Sequence, residues 1–160
     1  MNFSHLLWQK LGAGFKPIHF LLMSSPIPFQ LALHVQDTDI DQQGHVNNLV
    51  YLRWVQDVAT AHWQSFASED NQDTLLWVVM RHEIDYMVPA LMGDELLVRT
   101  WVGKASGLTF ERHTEIVRAA DEQKLARART LWCPLSTRTG RPQRISAQLR
   151  AQFSAMQQDM

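Results

Sequence analysis

The chain has 160 residues, of which 46% are hydrophobic and 19% are charged. Its 15 Lys and Arg residues nearly balance its 16 Asp and Glu residues, which excludes the strongly basic surface typical of proteins that bind nucleic acids or anionic membranes. We expect one globular domain that acts on a small partner. Cys133 is the only cysteine, so the chain forms no internal disulfide, and we expect a cytoplasmic protein.

The first 24 residues are apolar, but Gln9, Lys10, Lys16 and His19 interrupt every run. The segment therefore lacks both the core of a signal peptide and the length of a membrane span. We expect residues 1–24 to be an N-terminal extension, with translation beginning at Met23 in the natural protein, and an amphipathic helix is the alternative. The domain proper is expected at residues 25–160.

The first predicted strand is marked by Leu31, Leu33 and Val35, which alternate with more polar residues. A long helix is predicted next, because residues 46–63 contain neither Gly nor Pro and carry apolar side chains at helical spacing. Arg53 and Asp57 are its only charged residues, and their spacing of four predicts an ion pair. Apolar residues occur nearly all round this helix, so we expect other elements to surround it.

Residues 67–74 are polar and are predicted to be a loop, and residues 75–86 follow as a long strand. The first half of that strand is apolar on both faces, which predicts deep burial. In its second half Met80, His82, Ile84 and Tyr86 alternate with charged residues, which is typical of a strand that forms the wall of a cleft.

Three further strands are predicted at residues 95–103, 108–118 and 125–135, joined by short turns. A short terminal helix is predicted around Leu149, with Ser146 near its N-cap. The order is one strand, one long helix and four strands in a meander, which indicates an α+β protein with an antiparallel five-stranded sheet wrapped around one long helix. Such a sheet leaves one face and its edges uncovered, so we expect a homodimer.

One segment carries a family resemblance. Residues 39–54 contain Asp41-Gln-Gln-Gly44-His45-Val-Asn47-Asn48 and closely resemble the opening of the 4-hydroxybenzoyl-CoA thioesterase family. The segment is also similar to the His-Val-Asn-Asn region of plant acyl-carrier-protein thioesterases. The likeness continues through residues 84–86, 89–90, 93–94 and 139–142.

The resemblance implies a hotdog fold and an enzyme that hydrolyses acyl-CoA or acyl-carrier-protein thioesters to an acid and a thiol. It implies no cofactor beyond the substrate, and a homo-oligomer that is a dimer or a dimer of dimers. Asp41 takes the place of the catalytic carboxylate, as nucleophile or as general base, and Asn48 supplies the backbone amide that polarises the thioester carbonyl. His45 matches the plant histidine, whereas Gln43 stands where the plant enzymes have asparagine.

The remaining site residues are expected to bind substrate. Gly44 and Asn47 lie beside the catalytic turn, Tyr51 and Trp54 lie further along the helix where an acyl pocket is expected, and Asp85 matches an acidic position of the plant enzymes. Each residue type also has a structural interpretation: Asp41 as a turn former, Asn47 as a helix cap, and the aromatic residues as core.

Two other functions are weighed against hydrolysis. A dehydratase or hydratase would use His45 and Asp57 as an acid-base pair, and a non-catalytic module would bind acyl-CoA without turnover. His82-Glu83 lacks a second histidine four residues after the first, so the sequence predicts no zinc motif and no metal.

Overall fold

A computed structural model of the chain describes residues 28–155. Its strands are β1 (Phe29–His34), β2 (Leu75–Tyr86), β3 (Glu95–Ser106), β4 (Thr109–Arg118) and β5 (Lys124–Ser136). Its helices are α1 (Asn48–Phe66), α2 (Glu69–Thr74) and α3 (Ala147–Ala155), and a 3-10 turn spans Asp37–Asp39. The predicted N-terminal extension and Met23 lie outside the described residues. Between residues 28 and 155, no helix is long and apolar enough to cross a membrane.

The five strands form one antiparallel sheet in the order β1-β3-β4-β5-β2. Strands β3, β4 and β5 form the predicted meander, and left-handed backbone at Gly107 (φ 59°) and Glu122 (φ 55°) lies in its two turns. The prediction of four consecutive strands in one meander is wrong, because β2 pairs with β5 and β1 occupies the edge of β3 that β2 would have needed.

Strand β2 is an edge strand, and the prediction that its first half is deeply buried is wrong. Leu76, Val78 and Met80 are 52%, 40% and 60% exposed. A β-bulge between Val79 and Arg81 shifts the register against β5, so Met80 does not continue the inward-facing row predicted for it. The apolar run therefore forms an exposed apolar edge.

The segment before β2 also differs from the prediction, because the expected loop contains the short helix α2. Ser68 caps this helix by accepting a hydrogen bond from the Asn71 amide at 3.3 Å. Glu69 and Asp70 stand in the first turn, where acidic side chains stabilise the positive end of a helix. A good cap and this charge pattern make one and a half turns of helix favourable in an otherwise polar stretch.

Helix α1 packs one face against the inner side of the sheet. Its buried residues are Val50, Tyr51, Trp54, Val55, Val58, Ala59 and His62. The opposite face carries exposed polar residues, including Arg53, Gln56 and Asp57. The expectation that other elements surround this helix is therefore wrong for the described part of the chain.

The core divides into two clusters along α1. The first surrounds its N-terminal half and includes Val46, Val50, Leu96, Val98 and Ile116. The second surrounds its C-terminal half, where Leu75, Phe110, Ile145 and Leu149 are packed by partly buried tryptophans of α1, β2 and β5. The cap predicted for α3 is confirmed, because Ser146 Oγ accepts a hydrogen bond from the Leu149 amide at 3.0 Å.

The outer side of the sheet carries ion pairs between neighbouring strands. Arg129 of β5 bridges Glu111 of β4 at 2.6 Å and Glu83 of β2 at 3.2 Å. Lys124 pairs with Glu115 across β5 and β4. One side of the sheet thus packs against α1, whereas the other carries charged side chains.

Candidate active site

The turn before α1 is built by its own backbone. An isolated bridge joins Ile40 to Val46, and the Asp41 amide donates to the His45 carbonyl at 2.8 Å. Gly44 donates to the Asp41 carbonyl at 3.1 Å and has a φ of 79°. That left-handed conformation is readily adopted by glycine and strained for other residues, which explains the glycine at this point of the motif.

The Asp41 carboxylate is half-buried and held by the same turn. Its Oδ1 accepts hydrogen bonds from the amides of Gln43 at 2.8 Å and His45 at 3.4 Å. Both bonds go to one oxygen, so Oδ2 has no donor in the described part of the chain. The turn therefore orients the carboxylate and leaves one oxygen available.

Asp39 has a different environment from Asp41. Its side chain is 3% exposed and pairs with Arg53 of α1 at 2.6 Å, while its second oxygen accepts from the Gln36 amide at 3.0 Å. Asp39 thus joins the turn to the helix. The predicted pair between Arg53 and Asp57 is wrong, because Arg53 is drawn to this buried carboxylate, and Asp57 remains exposed.

Helix α1 begins directly after this turn. Asn47 is its N-cap, and its side chain accepts a hydrogen bond from the Leu49 amide at 2.9 Å. The Val50 amide donates to the Asn47 carbonyl at 2.9 Å. No acceptor in residues 28–155 pairs with the amide of Asn48, the first residue of the helix. That amide lies at the positive end of the helix dipole and is available to a ligand.

The end of β2 forms the opposite wall of the site. The Tyr86 hydroxyl donates to the Asn48 carbonyl at 3.3 Å, and the Tyr51 hydroxyl accepts from the Ala90 amide at 2.8 Å. The two rings meet edge to face with centroids 5.3 Å apart. Burial raises the pKa of both tyrosines, so both remain protonated and able to donate near neutral pH.

These elements line an open cavity of about 320 Å³. The predicted residues that line it are Asp41, His45, Asn47, Asn48 and Tyr51, together with Gln43 of the same motif. Gly44 shapes the turn without lining the cavity. The cavity is also lined by Tyr86, which the sequence placed on the wall of a cleft, and by Met87, Val88 and Pro89, which the sequence did not assign to a site. The sequence feature that could have predicted them is the alternation of apolar and charged residues at the end of β2, followed by Pro89.

Two predicted residues lie elsewhere. Trp54 is 4% exposed and belongs to the first core cluster, where it packs against Tyr51. Asp85 pairs with Arg127 at 2.7 Å, and both side chains are more than 60% exposed. Because side chains alternate along a strand, Asp85 and Tyr86 point to opposite sides of the sheet, and only Tyr86 reaches the cavity.

The histidines do not form a metal site in the described part of the chain, where no group of three or more His, Cys, Asp or Glu residues could hold a metal ion. His45 lines the cavity and is exposed. His82 lies on the inner side of the sheet and bonds to Thr130 Oγ1 at 2.9 Å.

A long helix held against one antiparallel five-stranded sheet is the hotdog fold that the sequence predicts, and solved structures share it. A 1,4-dihydroxy-2-naphthoyl-CoA thioesterase from Synechocystis is 24% identical, with a TM-score of 0.69 over 79% of this chain and 95% of its own. A Thermus thermophilus thioesterase complexed with coenzyme A and zinc is 23% identical, with a TM-score of 0.73 over 82% and 96% of the two chains.

A 12:0-ACP thioesterase from Umbellularia californica is 19% identical, with a TM-score of 0.69 over 82% of this chain and 51% of its own. A search of curated protein sequences gives no match. The model of the thioesterase-like superfamily matches residues 35–153. The chain belongs to that superfamily, and it is a thioester hydrolase.

Proposed function

We propose that this chain hydrolyses acyl-CoA or acyl-carrier-protein thioesters, with Asp41 and the Asn48 amide acting on the carbonyl group. The observation that carries the proposal is their placement. Asp41 and Asn48 border the same cavity. Within residues 28–155, one oxygen of the half-buried Asp41 carboxylate has no donor and the Asn48 amide at the helix start has no acceptor. Thioester hydrolysis needs a base or nucleophile near the carbonyl carbon and a donor near the carbonyl oxygen.

The reaction can follow either of two routes from this arrangement. Asp41 can take a proton from a water molecule whose oxygen attacks the carbonyl carbon, or Asp41 can attack directly to form an anhydride that water then hydrolyses. In both routes the C–S bond breaks, the thiolate takes up a proton, and the products are an acid and a thiol. The Asn48 amide stabilises the negative oxygen that develops between these steps.

The thiol portion of the substrate is proposed from the related structures. The Synechocystis enzyme is named for a CoA thioester, the Thermus structure contains coenzyme A, and the Umbellularia enzyme is named for an ACP thioester. We therefore propose CoA or acyl carrier protein as the thiol carrier.

The proposed active form is a homodimer joined through β2. Leu76, Val78 and Met80 expose apolar side chains on an edge strand, and an uncovered apolar edge promotes pairing with another chain. A second copy would cover these side chains and extend the sheet.

The dehydratase alternative is less well supported. It requires His45 and Asp57 to meet at the substrate, but only His45 lines the cavity. Asp57 is exposed and lies about 14 Å along α1 from the start of the helix, given a rise of about 1.5 Å per residue.

The test is release of free thiol from a panel of acyl-CoA and acyl-carrier-protein thioesters. Asp41→Asn should lower kcat by about 10²–10⁴-fold, because asparagine can still accept the turn's hydrogen bonds but cannot act as a base. Asp37→Asn is the matched control: this exposed aspartate lies in the preceding 3-10 turn and does not line the cavity. Activity of Asp41→Asn within about tenfold of the parent would contradict the role of Asp41. Tight binding of the panel without turnover would identify a non-catalytic binding module.

A further inference from the structure

A second cavity contains a buried cation. Arg112 of β4 points to the inner side of the sheet and is only 5% exposed. In the described part of the chain its guanidinium forms two side-chain hydrogen bonds, both from Nη1, to His62 Nδ1 at 2.9 Å and to Thr100 Oγ1 at 3.3 Å. No carboxylate of residues 28–155 forms an ion pair with it. Buried guanidinium groups are normally paired with an anion, because an unpaired buried charge is costly.

Neither partner of Arg112 supplies a negative charge. Burial and the nearby guanidinium lower the pKa of His62 to about 4, so this histidine is a neutral acceptor at neutral pH. Burial lowers the pKa of Arg112 to about 10, which still leaves it positively charged. The inner side of the sheet therefore holds a cation that the groups of residues 28–155 solvate but do not neutralise.

Arg112 lines a cavity of about 210 Å³ beside the C-terminal half of α1. Most of the other lining residues are aromatic or aliphatic, and the largest are Trp63, Trp77, Phe110 and Trp132. The indole N–H groups of Trp77 and Trp132 are buried and have no hydrogen-bond acceptor among the described residues. An apolar chamber with one cation in its wall suits a ligand with an apolar body and an anionic end.

We propose that this cavity binds a small hydrophobic carboxylate, with the carboxylate paired to Arg112 and the apolar body held among the aromatic residues. A planar guanidinium binds a carboxylate through two parallel hydrogen bonds. The size fits, since a cavity of about 150 Å³ accommodates benzene. One aromatic ring or a short alkyl chain with its carboxylate therefore matches this volume.

This cavity is separate from the one at Asp41, and the two share no lining residue. Along α1, Thr60 of this cavity lies about 18 Å from Asn48 of the other, at about 1.5 Å per residue. The carboxylate has two possible sources. It is either a free acid that modulates the enzyme or the distal carboxylate of an acyl chain, and the second source rests on the proposed function.

The test is calorimetric titration of the full-length chain with phenylacetate and hexanoate, each compared with its neutral amide. The carboxylates should bind in the millimolar range or tighter, and Arg112→Met should weaken them at least about tenfold while leaving amide binding unchanged. Arg127→Met is the matched control, because Arg127 is an exposed arginine on the outer side of the sheet. Equal binding of acids and amides, or no carboxylate binding at millimolar concentrations, overturns the proposal.

Folding of the variant is checked independently. Arg112→Met removes a buried charge that has no anion in the described part of the chain, so thermal unfolding should occur at the same or a higher temperature. If the variant fails to fold, Thr60→Phe replaces it. Thr60 is exposed and lines the cavity, so a larger side chain there narrows the entrance without disturbing the core. Carboxylate binding by folded Thr60→Phe as tight as that of the parent chain overturns the proposal.

Two kinetic arms identify the source of the carboxylate. The first experiment compares acyl-CoA substrates that end in a carboxylate with substrates that end in a methyl group. If the parent chain prefers the carboxylate-terminated substrates and Arg112→Met does not, the carboxylate belongs to the acyl chain. The second experiment adds free acid to the reaction with a methyl-terminated substrate. If the acid changes the rate of the parent chain but not that of Arg112→Met, the acid is an effector. Calorimetry is repeated on Asp41→Asn. Carboxylate binding is thereby measured without turnover, so its failure can be told apart from the failure of the thioesterase proposal.

Discussion

Replacement of Asn48 by proline removes the backbone N–H group together with the asparagine side chain. Proline is well tolerated at the first position of a helix, where the amide has no partner within the helix. Residue 47 already has the extended backbone (φ −60°, ψ 137°) that a residue before proline prefers. Since the Asn48 amide has no acceptor in the described part of the chain, Asn48→Pro should lose no hydrogen bond and fold normally.

If that amide stabilises the negative oxygen of the transition state, Asn48→Pro should lower kcat by about 10²–10³-fold, equivalent to about 2.7–4 kcal/mol. Asn48→Ala removes the side chain but keeps the amide, so it should stay within about threefold of the parent. Thiol release under saturating substrate measures kcat, and urea unfolding shows whether both variants are equally stable. A fully folded Asn48→Pro protein with parental kcat would refute the role of the amide.

Three further changes test the fold around the two cavities. The pKa of His62 is lowered from 6.5 to about 4, so the unfolded chain takes up a proton before the folded one. The free energy of unfolding should therefore fall by up to about 3 kcal/mol as the pH drops from 6.5 to 4. His62→Gln keeps an acceptor for Arg112, so its free energy of unfolding in urea should not show that loss. If the free energies of the parent chain and of His62→Gln fall in parallel with pH, the lowered pKa of His62 is contradicted. Asp39→Asn leaves Arg53 without its buried anion. The free energy of unfolding measured by urea titration should fall by about 1–3 kcal/mol. An unchanged free energy would contradict a stabilising role for this ion pair. Met80→Lys adds a charge to the exposed edge and should convert the proposed dimer to a monomer in light scattering, and an unchanged mass would argue against that edge.

The sequence predicted the elements whose signals are local. Alternation placed β3, β4 and β5 within a few residues, and the absence of Gly and Pro predicted α1. The position of β2 depends on which strand accepts its hydrogen bonds, and that choice is made between residues far apart in the chain. The exposure of Leu76, Val78 and Met80 could not be predicted either, because an apolar run has the same pattern in a buried strand and at an apolar edge.

The candidate site was predictable to the extent that it is one contiguous segment. Asp41 to Asn48 form a turn and a helix start, so their neighbourhood follows from chain geometry. Tyr86 joins them only through the fold, and its neighbour Asp85 faces away. Arg112 was hidden for another reason: it lies in the run Glu111-Arg112-His113, which by composition indicates a solvated strand. Only the alternation of β4 sends the middle residue inward.

Pairing of two identical edge strands has a geometric consequence for the proposed dimer. In an antiparallel pair related by a twofold axis, the Leu75 end of one β2 lies beside the Tyr86 end of the other. Within one chain, the aromatic cavity adjoins the first end and the catalytic turn adjoins the second. Dimerisation would thus bring each catalytic turn toward the Arg112 cavity of the partner subunit. A ligand bound in that cavity of one subunit would then affect turnover in the other subunit.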